Sequence, residues 1–310
     1  MDEHLTQLLA GLRCPPDAMG LAWLSCLWDM VDAGEKAVVA LAGTAAGRRP
    51  LGRGKGGDVT VALDGAAEAA MLAVLRERSP APHHLISEEA GELGGVGEWR
   101  VVVDPVDGSL NAKRGLEPYG TTLAVASGPS LRDVVVGVVA DYPRGHRYVA
   151  LAECGAVSTR SVDCPGQVQE VELILTEMGR PDDALFSFRD MGVLAGAVGS
   201  EQGHSSKLPY FRVRQMGSLA LSLVHTALGV GDILFCPAHA RSVDIAGGLL
   251  FLREMGGDAR AIDGSDLWAQ PLDLERRAPF VAWRHGLVGP VIADRGRRLW
   301  GEKYPVYGEL

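Results

Sequence analysis

The segment Val101-Val102-Val103-Asp104-Pro105-Val106-Asp107-Gly108-Ser109-Leu110-Asn111 is the most informative in this 310-residue chain. Three consecutive valines read as a buried strand. The strand is expected to stop at Pro105, which has no N–H to donate to a sheet. It delivers two carboxylates, Asp104 and Asp107, with Pro105 fixing the backbone between them so that both can turn toward one point. Acids held that close repel unless a cation lies between them, and oxygen-only donors select a hard cation such as Mg²⁺. The carbonyl of Val106 is a further candidate ligand. Gly108 and Ser109 then offer backbone N–H groups at the start of a turn or helix, which suits an anion such as phosphate. The same letters, taken alone, also describe a solvated turn.

Outward from this segment, strands are expected at 121–126, 134–140 and 146–151, a run that suits an antiparallel or mixed sheet. Upstream, Leu21, Leu24, Trp28 and Val31 recur at helical spacing within an expected helix over 17–46. A second helix is expected over 62–78. The Gly- and Arg-rich stretch 48–58 reads as a loop, and His83–Ser87 as a short strand ending at Glu88-Glu89. Downstream, strands are expected at 171–175, 211–213 and 232–235, and helices at 218–228 and 243–255, the last stopped by Gly256-Gly257. Beyond residue 270 the periodicity is weak. The chain divides into an N-terminal α+β domain, 1–140, carrying the paired acids, and a C-terminal α/β domain, 141–310.

Three further acids stand out, each with an ordinary alternative. Glu88 follows a strand and would suit an exposed loop. Asp244 opens a strongly apolar helix, where Asp is a good cap. Asp58 follows Gly56-Gly57, with Asp64 farther on, and could cap the helix after it.

Taken together, these segments resemble the inositol monophosphatase-like family, whose superfamily also holds fructose-1,6-bisphosphatases and 3′-phosphoadenosine phosphatases. The resemblance rests on Glu88-Glu89 after a strand, on Asp104 to Ser109 as D-P-[LIV]-D-G-[ST], on Val243-Asp244-Ile245-Ala246-Gly247, and on Glu254-Met255-Gly256-Gly257. Their order matches, with Asp244 placed 137 residues after Asp107. It covers roughly residues 20–260. Val243 in place of the tryptophan of animal-type members is similar to the bacterial and archaeal branches.

The resemblance implies a layered αβαβα sandwich with the active site between two α/β portions. It implies a Mg²⁺-dependent phosphomonoesterase using two or three ions, inhibited by Li⁺, acting as a homodimer on a small phosphorylated sugar, polyol or nucleotide. The implied metal ligands are Glu88, Asp104, the Val106 carbonyl, Asp107 and Asp244. Asp58, Ser109 and Glu88 would position the attacking water. Gly108 and Ser109 would bind phosphate, and Gly217, Ser218 and Asp244 would line the substrate pocket. Phe235 to Arg241 contains no carboxylate where many inositol-specific members hold sugar hydroxyls, so inositol specificity is not implied. Lys207, Tyr210, Arg212 and Arg241 are candidates for holding a second phosphate.

Composition excludes other classes. A net charge of −9 does not suit a nucleic-acid polymer as partner. Five cysteines, none in CxxC spacing, read as scattered thiols of a reducing cytosol. The acidic start and the short apolar run at 19–28 suit neither a signal peptide nor a membrane span, so a cytoplasmic location is expected. The glycine-rich stretch 52–58 lacks the Ser or Thr of a Walker loop. A haloacid dehalogenase-type phosphatase would need D-x-D-G, whereas Pro105 adds a residue to the spacing here. A regulatory, non-catalytic relative is the other alternative, and the retained acids argue against it.

Overall fold

The computed structural model describes residues 3–55, 57, 59–160, 171–177, 188–195, 211–286 and 289–303. The first half holds α1 (Glu3–Leu9), α2 (Ala18–Val39), β1 (Pro50–Arg53), β2 (Val59–Val61), α3 (Ala62–Arg78), β3 (His83–Ser87) and β4 (Gly91–Leu93). It continues with β5 (Trp99–Asp107), α4 (Ser109–Arg114), β6 (Gly120–Ala126), β7 (Val134–Asp141), β8 (His146–Leu151) and β9 (Gly155–Ser158). The second half holds β10 (Leu173–Thr176), α5 (Phe188–Ala195), β11 (Arg212–Gln215), α6 (Leu219–Ala227) and β12 (Ile233–Arg241). It ends with α7 (Ser242–Glu254), β13 (Asp258–Ala261), β14 (Arg277–Trp283) and α8 (Gly289–Lys303). None of the described helices is long and apolar enough to cross a membrane.

Besides the β1–β2 pair, two larger sheets form from the described strands. The first has the order β4-β3-β5-β6-β7-β8-β9, with β3 and β5 parallel and the other neighbours antiparallel. The second has the order β11-β10-β12-β14-β13, parallel at β11-β10-β12 and antiparallel beyond. Successive residues of a strand point to opposite faces, and the first sheet is apolar on both. Leu123 and Val125 of β6 join a core with α2 and α3, while Ala124 and Ala126 join a core with α6 and α7. Helices α6 and α7 also pack on the second sheet, whose other face buries Ile233, Phe235 and Val281 against α5 and α8. The layers therefore run α2/α3, sheet, α6/α7, sheet, α5/α8, the αβαβα sandwich anticipated above.

Helix α7 lies in the middle layer, which explains why it is apolar on all sides, from Val243 and Ile245 to Leu249, Leu250, Phe251 and Leu252. Its backbone lies directly on the first sheet at Gly247. A Cβ there would meet Thr122 Oγ1 at 2.7 Å and the Leu123 carbonyl at 2.9 Å. That close approach brings the first turn of α7, with Asp244, down onto the sheet.

Several expectations need correction. Strand β5 does not stop at Pro105; it continues to Asp107 through a register shift against β6 between Asp104 and Asp107. A bulge leaves a residue outside the hydrogen-bond ladder, so proline's missing N–H costs nothing there. Helix α2 starts where Asp17 accepts the Gly20 N–H at 2.6 Å, but ends at Val39, short of residue 46. Leu41 N bonds Val38 O at 2.9 Å and Gly43 takes φ +70°, which turns the chain away. The stretch expected as a loop contains β1, which pairs with β2 just beyond it, and the region beyond 270 contains β14 and α8. The first sheet runs through β9 to Ser158. Cys14 and Cys154 form a disulfide with Cα atoms 5.0 Å apart, while Cys26 and Cys236 are free and buried. A pairing across 140 residues is set by tertiary proximity and leaves no trace in local spacing.

Candidate active site

Strand register builds the first part of the site. Strands β3 and β5 are parallel, with Ser87 opposite Val103, so the next residues along, Glu88 and Asp104, emerge side by side at one end of the sheet. The Glu88 N–H bonds the Val103 carbonyl at 3.1 Å and holds that alignment. Asp244 arrives from above, on the first turn of α7. One carboxylate oxygen from each of Glu88, Asp104 and Asp244 can be chosen so that all lie within 4.8 Å of one another.

Asp104 is 2 % exposed, and the side chains of Glu88 and Asp244 are 15 % exposed. Burial holds the Asp104 carboxyl well above the usual range, and Glu88, Asp107 and Asp244 push it further up. Burial also raises Glu88, against the attraction of Arg241. Clustered negative charge with an all-oxygen donor set fits a hard divalent cation.

Asp107 lines the same cavity, but its oxygens meet the start of α6. It accepts from the Ser218 hydroxyl, from Leu219 N at 3.1 Å and from Ala220 N at 3.0 Å. A carboxylate at a helix N-terminus is favourable because the free N–H groups point at it. Burial nevertheless pushes Asp107 up to about 7, opposed by the Ser218 bond. Asp107 is therefore the joint between the first sheet and the α6 layer.

Gly108 follows in the left-handed conformation, φ +83°, and lets α4 begin at Ser109. A Cβ there would crowd the carbonyls of Gly217 and Pro118 at 3.0 and 3.1 Å. Asn111 fastens the same contact, its amide donating to Pro118 O and Met216 O at 2.8 Å each. The cavity of about 410 Å³ between these parts lies within the range of roughly 300–1,000 Å³ typical of small-molecule sites.

The structure places the anticipated residues unevenly. Glu88, Asp104 and Asp244 converge, and Asp107, Val106, Gly108, Ser109 and Gly217 line the same cavity. Asp58 lies outside the described residues, as do Lys207 and Tyr210. The partner of Ser109 is Asp64, whose Oδ1 accepts the hydroxyl at 2.8 Å, and Ser109 also donates to the Val106 carbonyl at 2.8 Å. Asp64 Oδ2 accepts the Val61 N–H at 3.1 Å, which seats it in the first turn of α3. Arg212 is exposed on an edge strand and donates to the Phe211 carbonyl. Arg241 is drawn into the acidic cluster.

Three residues carry more than sequence reasoning assigned to them. Asp64 was legible only as an acid six positions beyond Asp58; its place on α3, opposite Ser109, singles it out. Glu177 follows β10 and binds Met216 N, Gly217 N and Ser222 Oγ, which holds the turn that lines the cavity. Its signal was the one that marked Glu88, an acid just past an apolar strand. Glu89 accepts the Thr60 hydroxyl, and burial pushes it up to about 7.

The chain matches the inositol monophosphatase family over residues 31–295. It is similar to the fructose-1,6-bisphosphatase/inositol-1-monophosphatase of Archaeoglobus fulgidus, 28 % identical over 76 % of this chain and 82 % of that one. It is also similar to the Nus factor SuhB of Pasteurella multocida, 29 % identical over 72 % of this chain and 79 % of that one. Among solved structures, an inositol monophosphatase–fructose 1,6-bisphosphatase shares the fold, with a TM-score of 0.73 at 21 % identity, covering 88 % of this chain and 99 % of the other.

Proposed function

Because the chain belongs to the inositol monophosphatase family and is a phosphatase of that family, we propose that it hydrolyses a small phosphorylated sugar, polyol or nucleotide with Mg²⁺ held at the three-acid cluster. The observation that carries this is the convergence of Glu88, Asp104 and Asp244, which lie on β3's end, β5 and α7 and are far apart in sequence. Bound there, divalent cations supply the positive charge that lowers the pKa of water and neutralises the phosphate.

The chain's own groups do the rest. Ser109, whose hydroxyl proton is held by Asp64 and the Val106 carbonyl, can accept a hydrogen bond from an attacking water. The Gly108 and Ser109 amides face an incoming anion at the start of α4. Asp107, through α6, keeps the Gly217–Leu219 side of the cavity in register with the acids. Phosphoryl transfer depends on positioning and charge neutralisation more than on a protein nucleophile, and Asp64, bonded to Ser109, is placed to contribute to the positioning anticipated for Asp58.

The test is a phosphate-ester panel comprising inositol phosphates, fructose-1,6-bisphosphate, 3′-phosphoadenosine phosphates, histidinol phosphate and NADP. At least one ester is expected to turn over with Mg²⁺, to stop with EDTA, and to be inhibited by millimolar Li⁺. Absence of metal-dependent turnover on every ester would remove the proposal. It would favour a regulatory member instead, a reading supported by the similarity to a Nus factor.

A further inference from the structure

The acidic cluster contains a cation of the chain's own. Arg241 ends β12 and precedes the first turn of α7. Its Nη2 donates to Glu88 Oε1 at 2.5 Å and to Asp244 Oδ1 at 2.8 Å. Its Nε and its backbone N both donate to Asp244 Oδ2, at 3.1 and 3.0 Å. The side chain is 10 % exposed, so little water screens these contacts. Two of the three converging carboxylates are thus held by one guanidinium.

Arginine keeps its charge at any working pH, unlike lysine, which can lose a proton to relieve repulsion. A divalent cation entering among Glu88, Asp104 and Asp244 would meet that fixed charge at contact distance and would take oxygens the guanidinium already uses. Two roles are physically open to such a group. An outer partner that orients ligands raises metal affinity, and its loss typically weakens binding about 10–100-fold. A competitor lowers affinity, and its loss tightens binding. Here a full positive charge bridges two would-be ligands, and Coulomb repulsion between unit charges a few ångströms apart amounts to several kcal/mol at an effective dielectric constant of about 20.

We propose that Arg241 is a built-in stand-in for the divalent cation: it holds Glu88 and Asp244 together in the metal-free protein, lets go of Glu88 when the metal binds, and so sets the metal affinity of the centre. This rests on the metal-dependent reading above. Without the guanidinium, the carboxylates repel one another until metal arrives, so folding becomes more dependent on the ion.

The experiment compares the full-length wild type with Arg241→Gln by calorimetric titration with Mn²⁺ and by thermal melting with and without Mn²⁺. The variant is expected to melt lower in EDTA, to gain more from Mn²⁺, and to bind it roughly tenfold tighter or more. Equal or weaker binding by the variant overturns the proposal. Should Arg241→Gln not fold without metal, crystals of the wild type grown with EDTA and with Mn²⁺ decide the matter. An Arg241–Glu88 contact that opens around bound Mn²⁺ supports the proposal, and a contact that persists beside it overturns it. A wild type that binds no Mn²⁺ at all takes down this inference together with the proposed function. Binding and turnover in the wild type without a tighter variant takes down only the role of Arg241.

Discussion

Asp104 and Asp107 look equivalent on paper, three positions apart on one strand, yet their surroundings differ. Asp104 faces other acids and accepts a bond from Val106 N at 3.0 Å. Asp107 accepts three donors from the start of α6. The two conservative amide substitutions should therefore separate. Asp104→Asn removes one of several crowded negative charges and keeps an acceptor for Val106 N. The metal-free protein should melt no lower than wild type, while turnover falls by two orders of magnitude or more. Asp107→Asn turns an NH₂ toward backbone N–H groups, leaving a buried donor unsatisfied at a cost of about 1–3 kcal/mol. It should lose both turnover and stability. Melting curves in EDTA beside kcat would check this, and equal melting temperatures for the two variants would refute the distinction.

Helix α6 carries a buried group with a consequence for acid stability. His225 is 2 % exposed, and neither ring nitrogen has a hydrogen-bond partner among the described residues. Burial lowers its pKa to about 4, with Arg160, Arg144 and His146 adding repulsion. The folded value lies below the unfolded value of 6.5, so the unfolded chain binds the extra proton first. This contribution to stability is complete above pH 6.5 and is lost as the pH falls through 4. Its size is about 3 kcal/mol. His225→Leu should remove that part of the pH dependence. Urea unfolding of both proteins at pH 7.5 and pH 4 is expected to show the wild type losing about 3 kcal/mol more than the variant. A wild-type-to-variant difference that stays constant with pH would exclude the buried neutral histidine as the cause.

At the scale of the whole molecule, the disulfide ties the turn after α1 to the β8–β9 turn. Arg13 N bonds the Cys154 carbonyl at 2.8 Å beside it, and the Arg13 side chain meets Glu254 at 2.6 Å. Glu254, on the last turn of α7, also accepts Glu153 N and Gly155 N at 3.1 Å. The outer layer is thereby fastened to the far end of the helix whose first turn carries Asp244. Closing a loop of 140 residues restrains the unfolded chain, and removing such a bond typically costs about 2–4 kcal/mol. Cys14→Ser should unfold more easily than oxidised wild type by that amount, and excess reductant should bring the two together. Identical denaturation midpoints without reductant would mean that the bond adds nothing to stability.

Much of this was legible in the linear order of residues because it depends on local rules. The apolar strand ending in Asp104, the turn at Gly108, the acid after β3 and the apolar helix behind Asp244 all follow from neighbours within a few positions. The β1–β2 hairpin and the last strand and helix were not legible, because their pattern is weak and packing selects them. Only the folded chain decided which acids meet. The parallel register of β3 and β5 joins Glu88 to Asp104, and the contact of Gly247 with β6 lowers Asp244 onto them. It also decided that Asp64 reaches Ser109, that Asp107 turns to α6, that Arg241 enters the cluster and that Cys14 finds Cys154. Each of these is a contact between distant segments, and distance along the chain carries no information about distance in space until the layers have packed.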